Sequence, residues 1–181
     1  MHPAVQPLID RFLVGARDKG LPLIVVETRR NKDVMEAYYA RGRNVLFAVN
    51  AKYAKAGLRP ITEKENQATI TNCLPGESWH YFGLALDFVP VVNGKPDWTY
   101  NNADPADHWD ELAALAKEIG FTWGGNFRTF QDRPHIEWHP GWSVSSRMRG
   151  VTAAYAWTAR NDSLWIPLKG EYGDQTFSFP G

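Results

Sequence analysis

Two short stretches hold most of the groups in this chain that could do chemistry. The run Ser78-Trp79-His80-Tyr81-Phe82-Gly83-Leu84-Ala85-Leu86-Asp87 offers an imidazole at His80 and a carboxylate at Asp87. Both are ordinary zinc ligands, and the slim residues Gly83 and Ala85 let the intervening backbone approach closely. The run Asp132-Arg133-Pro134-His135-Ile136-Glu137 can supply a third ligand, His135, set between two carboxylates. Three protein ligands leave a fourth position for water, which is the pattern of a catalytic zinc and not of a structural one.

Several elements must position these runs. Leu84, Leu86 and Phe88 share one face of an expected strand over Leu84 to Val89, and alternation turns Asp87 to the other face. A final strand around Ile136 carries His135 and Glu137 together on its opposite face. Phe121-Thr122-Trp123 reads as a further strand, followed by a turn or bulge at Gly124-Gly125. Upstream, Val5, Leu8, Ile9, Phe12, Leu13 and Ala16 space out an amphipathic helix over residues 3–19. Leu23 to Glu27 reads as a short buried strand, with Arg29-Arg30 leaving its end, and Asp33 to Arg41 as a helix capped by Gly42. Residues 44–69 contain a weaker helical pattern ending at Gly57, which either packs as an added helix or shapes a substrate lid. A strand is expected from Ala68 up to a turn at Pro75-Gly76, and Asn93-Gly94 marks a tight turn. Asp104-Pro105 opens a helix that runs to Ile119, with Gly120 as its end.

With Thr71-Asn72, Trp123-Gly124-Gly125-Asn126-Phe127 and Asp132 through Trp138 added, the two runs resemble the zinc D-Ala-D-Ala carboxypeptidase superfamily. Its signature is Ser-x-His-x-x-Gly-x-Ala-x-Asp followed by Asp or Glu-x-x-His. Within it, the chain is similar to the L-alanyl-D-glutamate peptidases of phages and bacteria. The resemblance covers roughly residues 20 to 140, and a two-part signature with a mechanism behind it is specific.

The resemblance implies an α+β fold, a small antiparallel sheet carrying the zinc site with helices packed on one side. It implies Zn2+ on His80, Asp87 and His135, and a general base three residues before the last histidine, at Asp132. Glu137 competes for that role, or orients a histidine through a hydrogen bond. Alignment through Tyr39-Ala40-Arg41-Gly42-Arg43 places Arg30 at the family's arginine, as an oxyanion or substrate contact, against the plainer reading of a surface salt bridge. Ser78 and Asn72 would line the cleft, although turn bonding explains both as well. Trp138 belongs to a group with Trp79, Trp98, Trp109 and Trp123 that is either core packing or an aromatic groove wall. The implied activity is hydrolysis of the stem peptide of bacterial peptidoglycan at the L-Ala–D-Glu bond, the bacteriolytic work of an endolysin. The alternatives are a D-Ala-D-Ala-type carboxypeptidase on the same fold and a non-catalytic wall-binding module.

Composition bounds the rest. The chain of 181 residues has a formal net charge of zero, which gives no global field toward nucleic acid or an anionic membrane. No apolar run suits membrane insertion, and no signal peptide is visible, so synthesis in the cytoplasm and delivery to the wall by a holin or a secretion machine is expected. The single cysteine, Cys73, excludes an intrachain disulfide and is expected to be a small buried side chain. His108 and His139 lie outside the metal pattern, and His2 sits at an end expected to be mobile. Residues 1–140 are read as the catalytic domain and 141–181 as a C-terminal extension packed on it.

Overall fold

A computed structural model describes residues 1–101 and 107–138. The proposed extension 141–181, the helix opening at Asp104-Pro105 and His139 lie outside the described residues. The elements run α1 (Gln6–Asp18), β1 (Leu23–Glu27), α2 (Lys32–Ala40), α3 (Leu46–Lys55), β2 (Ala85–Val92), β3 (Lys95–Pro96), α4 (Trp109–Ile119), β4 (Thr122–Trp123) and β5 (His135–Glu137).

The sheet is antiparallel throughout, in the order β1-β2-β5-β4, with β3 returning beside the far end of β2. That return is made by Asn93 and Gly94 at φ 52° and 73°, the double positive φ that matches the twist of a tight hairpin. The fold is α+β, with α1 and α4 packed together on one face of β2. There Phe88 is fully buried, its ring 5.2 Å from Phe12 of α1 and 5.6 Å from Trp109 of α4. Leu84, Leu86, Leu112, Phe121 and Ile136 complete this core.

A second, smaller cluster joins α2 and α3 through Ala37, Ala40, Val49, Tyr53 and Ile61. The segment 44–69 therefore contributes a packed helix, which Gly57 closes at φ 72°. α2 starts at Asn31, whose side chain accepts the Val34 N–H at 2.9 Å. That bond satisfies one of the orphan donors of the first turn.

Four sequence expectations change. β1 is a half-exposed edge strand and not a buried one, with Ile24 and Val26 open to solvent. It lies at the end of the sheet, so only its inner face meets the core. The stretch from Ala68 forms no strand. Arg43 instead holds its end, donating to Thr71 O at 3.0 Å and to Asn72 Oδ1 at 3.2 Å. α4 is helical only from Trp109, whose N–H is taken by Asp107 Oδ1 at 3.1 Å. The N-terminus is tied down: His2 is buried and its N–H donates to Gly83 O at 3.0 Å. Gly83 permits this, because a Cβ there would stand 2.9 Å from His2 N.

Phe88→Ala should cost about 3–5 kcal/mol, the usual range for emptying a buried aromatic site. Phe47→Ala, on the exposed side of α3, should stay within about 0.5 kcal/mol. Denaturant unfolding of the two variants beside the parent measures both.

Candidate active site

The pairing of β2 with β5 builds the site. Asp87 stands directly opposite His135, while the neighbouring pair, Leu86 and Ile136, faces the core. Directly paired residues point to the same side of a sheet, so Asp87 and His135 emerge together. His80 arrives from the tight chain just before β2. Ser78 Oγ accepts the His80 N–H at 3.3 Å, Tyr81 N bonds Ser78 O, and Gly83 turns at φ 68°.

The three groups meet closely. His80 Nε2 lies 3.0 Å from Asp87 Oδ1 and 3.1 Å from His135 Nδ1, and His135 Nδ1 lies 3.0 Å from Asp87 Oδ1. The opposite nitrogen of each ring is committed. His80 Nδ1 donates to the carbonyl of Thr28 at 2.6 Å, and His135 Nε2 donates to Glu137 Oε2 at 2.8 Å. With both outer nitrogens donating, the inward nitrogens would present lone pairs to a cation once the rings are neutral. Those two lone pairs and a carboxylate oxygen converge on one point, an arrangement that a cation stabilises. A tetrahedral ion with bonds of ~2.0–2.1 Å sets its corners roughly 3.3–3.4 Å apart, close to this triangle. The residues therefore fit a divalent metal, and no other group of three or more such side chains lies this way among the described residues.

The charges around the triangle are mutually supporting. Burial would raise the Asp87 pKa, but hydrogen bonds from His135 and His80 outweigh it and hold the carboxyl well below the usual range. Burial would lower His135, yet Asp87 and Glu137 on its two sides push it up to about 9 in the metal-free protein. Arg30 donates from Nη2 to Asp87 Oδ2 at 3.2 Å, leaving Oδ1 to face the histidines.

Other residues singled out in the sequence fall in several places. Asp132 is half-buried within electrostatic reach of His135, Asp87, His80 and Arg30, and burial raises its pKa. Gly124 lets this loop close. Its carbonyl takes the Asp132 N–H at 3.0 Å, and a Cβ there would collide with Asp132 O and lie 3.0 Å from His135 Cβ. Glu137 is buried against His135. Ser78 is buried inside the turn that carries His80, and Asn72 is exposed on the bond from Arg43. Trp79, Trp109 and Trp123 are buried and Trp138 packs against the same core, so the core reading holds for these four, while Trp98 is exposed. Cys73 is exposed and not buried, because the segment before the motif lies on the surface. His108 stands at the start of α4, outside the triangle. The sequence reading missed Thr28, whose carbonyl fixes the His80 tautomer. A backbone acceptor leaves no signal in residue type.

Residues 73–138 match a family model described as D-alanyl-D-alanine carboxypeptidase. The chain is 30% identical over 144 residues to the peptidoglycan L-alanyl-D-glutamate endopeptidase CwlK of Bacillus subtilis (strain 168), over 77% of this chain and 74% of that protein. The chain belongs to the D-alanyl-D-alanine carboxypeptidase family. It is also 33% identical over 98 residues to the L-alanyl-D-glutamate peptidase of Listeria phage A118, over 52% of this chain and 34% of the phage protein. The chain therefore spans about a third of that relative's length. Among solved structures, the Serratia marcescens L-Ala D-Glu endopeptidase ChiX overlays with a TM-score of 0.44 at 21% identity, over 77% of this chain and 80% of that one.

Within this family site, the bond between Glu137 and His135 sets which nitrogen faces inward. Glu137→Ala should weaken divalent-metal affinity about 10- to 100-fold, the usual effect of removing a ligand's hydrogen-bond partner. Titration of zinc against a competing chelator measures this, with circular dichroism to check that the fold is kept.

Proposed function

We propose that this protein is a zinc peptidase of bacterial peptidoglycan that cuts the stem peptide between L-Ala and D-Glu. The convergence of His80, Asp87 and His135 on one point, with both histidine tautomers fixed, carries the reading. Two nitrogens and one oxygen suit zinc, and a three-ligand site leaves room for water. The substrate is taken from the named activities of the relatives in Bacillus subtilis and Listeria phage A118.

A zinc ion held there would bring the pKa of a water to about 7 and polarise the scissile carbonyl. The protein's own groups do the remaining work. Asp132 is the general base: it takes the proton as the water attacks, then returns it to the departing amine of D-Glu. Its raised pKa suits both halves, since a carboxyl nearer the working pH accepts and releases a proton more evenly. Arg30 supplies positive charge beside the open position, for the developing oxyanion or for a carboxylate of D-Glu. Glu137 holds His135 and does not touch substrate. Asn72 is assigned to the cleft rim, Trp138 to the core beside the site, and Ser78 to the support of His80.

Asp132→Asn should keep zinc and fold while turnover falls by about 10² to 10⁴, because an amide cannot accept the proton. In the parent, activity should fall on the acid side as Asp132 takes up a proton and can no longer act as base. Activity that survives in Asp132→Asn while Glu137→Gln is inert with zinc bound would exchange the two roles.

The bond is decided by mass spectrometry of fragments from defined muropeptides. A new amino terminus on D-Glu is expected, with L-Ala left attached to muramic acid. Release of free D-Ala from a pentapeptide stem, with no new D-Glu terminus, would give the carboxypeptidase activity that the family description names.

A further inference from the structure

The triangle of His80, Asp87 and His135 is backed by contacts that begin in an irregularity of β1. Val25 pairs with Phe88 and points into the core, so strict alternation would turn Glu27 the same way. Between Val25 and Glu27 the register slips, and Glu27 pairs with Asp87 instead. One extra residue, Val26, thus moves the Glu27 carboxylate from the core face to the face of the site. Bulges beside active sites commonly re-aim a side chain in this manner.

Re-aimed, Glu27 meets Arg30. Glu27 Oε2 lies 3.3 Å from Arg30 Nε, and Arg30 Nη2 lies 3.2 Å from Asp87 Oδ2. Tyr38 of α2 adds to the group: its phenol lies within electrostatic reach of Glu27, and its ring centroid is 5.5 Å from the Arg30 guanidinium carbon. The Arg30 backbone N–H is also tied, donating to His80 O at 3.0 Å. One guanidinium is shared between two carboxylates, with an aromatic ring beneath it. All three charged side chains are mostly buried, between 14% and 26% exposed. In such a setting a fixed fork loses less entropy per bond than a free surface arginine would.

We propose that Glu27, supported by Tyr38, is a positioning residue for the metal site: it holds Arg30 against Asp87 Oδ2, so that Asp87 offers the ion one oxygen and not two. An unclamped carboxylate can rotate and bind through both oxygens, taking the position that the water needs. The clamp keeps coordination low and the site open. The inference rests on the metal reading above, but not on which bond is cut.

The test compares Glu27→Gln and Tyr38→Phe in the parent and in an Arg30→Ala background, using the full chain loaded with zinc or with cobalt(II). Three quantities are read: zinc affinity by chelator competition, the intensity of cobalt(II) visible absorption, which falls as coordination number rises above four, and kcat and KM on purified walls. Glu27→Gln should weaken zinc binding about tenfold, lower the cobalt absorption, and reduce kcat more than it raises KM. Tyr38→Phe should move all three the same way by less. In the Arg30→Ala background neither substitution should add a further loss, because the path through Arg30 is already cut. Equal losses with and without Arg30 would reduce Glu27 to a support of β1 and overturn the proposal. Unchanged zinc affinity and cobalt absorption in Glu27→Gln would overturn it as well. A parent chain that takes up no zinc would overturn the metal reading and this inference together.

Discussion

Asp87 faces His135 across the β2–β5 ladder, and a slip of one residue would turn one of the two side chains into the core. The register is held by what lies on the reverse of the same strands. Leu86 and Ile136 are buried there, and moving either to the site face would expose it while burying a carboxylate or an imidazole. The site is thus specified by the core, and the core by the alternation of the strands.

The histidines show how much of a candidate metal site is decided outside the residues that would ligate the ion. A free imidazole can present either nitrogen. Here a backbone carbonyl at Thr28 and a carboxylate at Glu137 each claim one, so the remaining two face inward beside Asp87. Without a cation the inward side of His135 keeps a proton, which the carboxylates on its two sides favour. Glycines supply the space. Gly83 admits the N-terminal backbone beneath the His80 turn, and Gly124 admits the Asp132 carbonyl beside His135.

Two hydrophobic clusters divide the labour. The larger, built by α1, α4 and the sheet, fixes β2 and β5. The smaller, between α2 and α3, carries Tyr38 at its margin and so connects the inserted helix to Glu27 and Arg30. Arg43, stacked on Tyr39 at 4.2 Å, ties the same helix to Thr71 and Asn72. α2 thereby joins the surface loop before the motif to the residues behind the metal ligands.

The sequence by itself pointed to the trio His80, Asp87 and His135 and to the face on which it emerges, through a short motif and a period of two that local order expresses directly. Asn93-Gly94 is legible for the same reason, since turn chemistry spans only a few residues. The α+β class came with the family resemblance. The tertiary structure decided what depends on contacts distant in the chain. Only pairing with β2 shows that β1 is an edge strand with a bulge, because Leu23 to Glu27 is apolar enough to pass for a buried strand. Only the packed core shows that Trp79, Trp109 and Trp123 are interior, and only Gly83 shows why His2 is buried. The placement of Glu137 on His135 and of Arg30 between two carboxylates belongs to the same kind. Side chains of one type can orient, bind or react, and the neighbour that settles the choice came from another element of the fold.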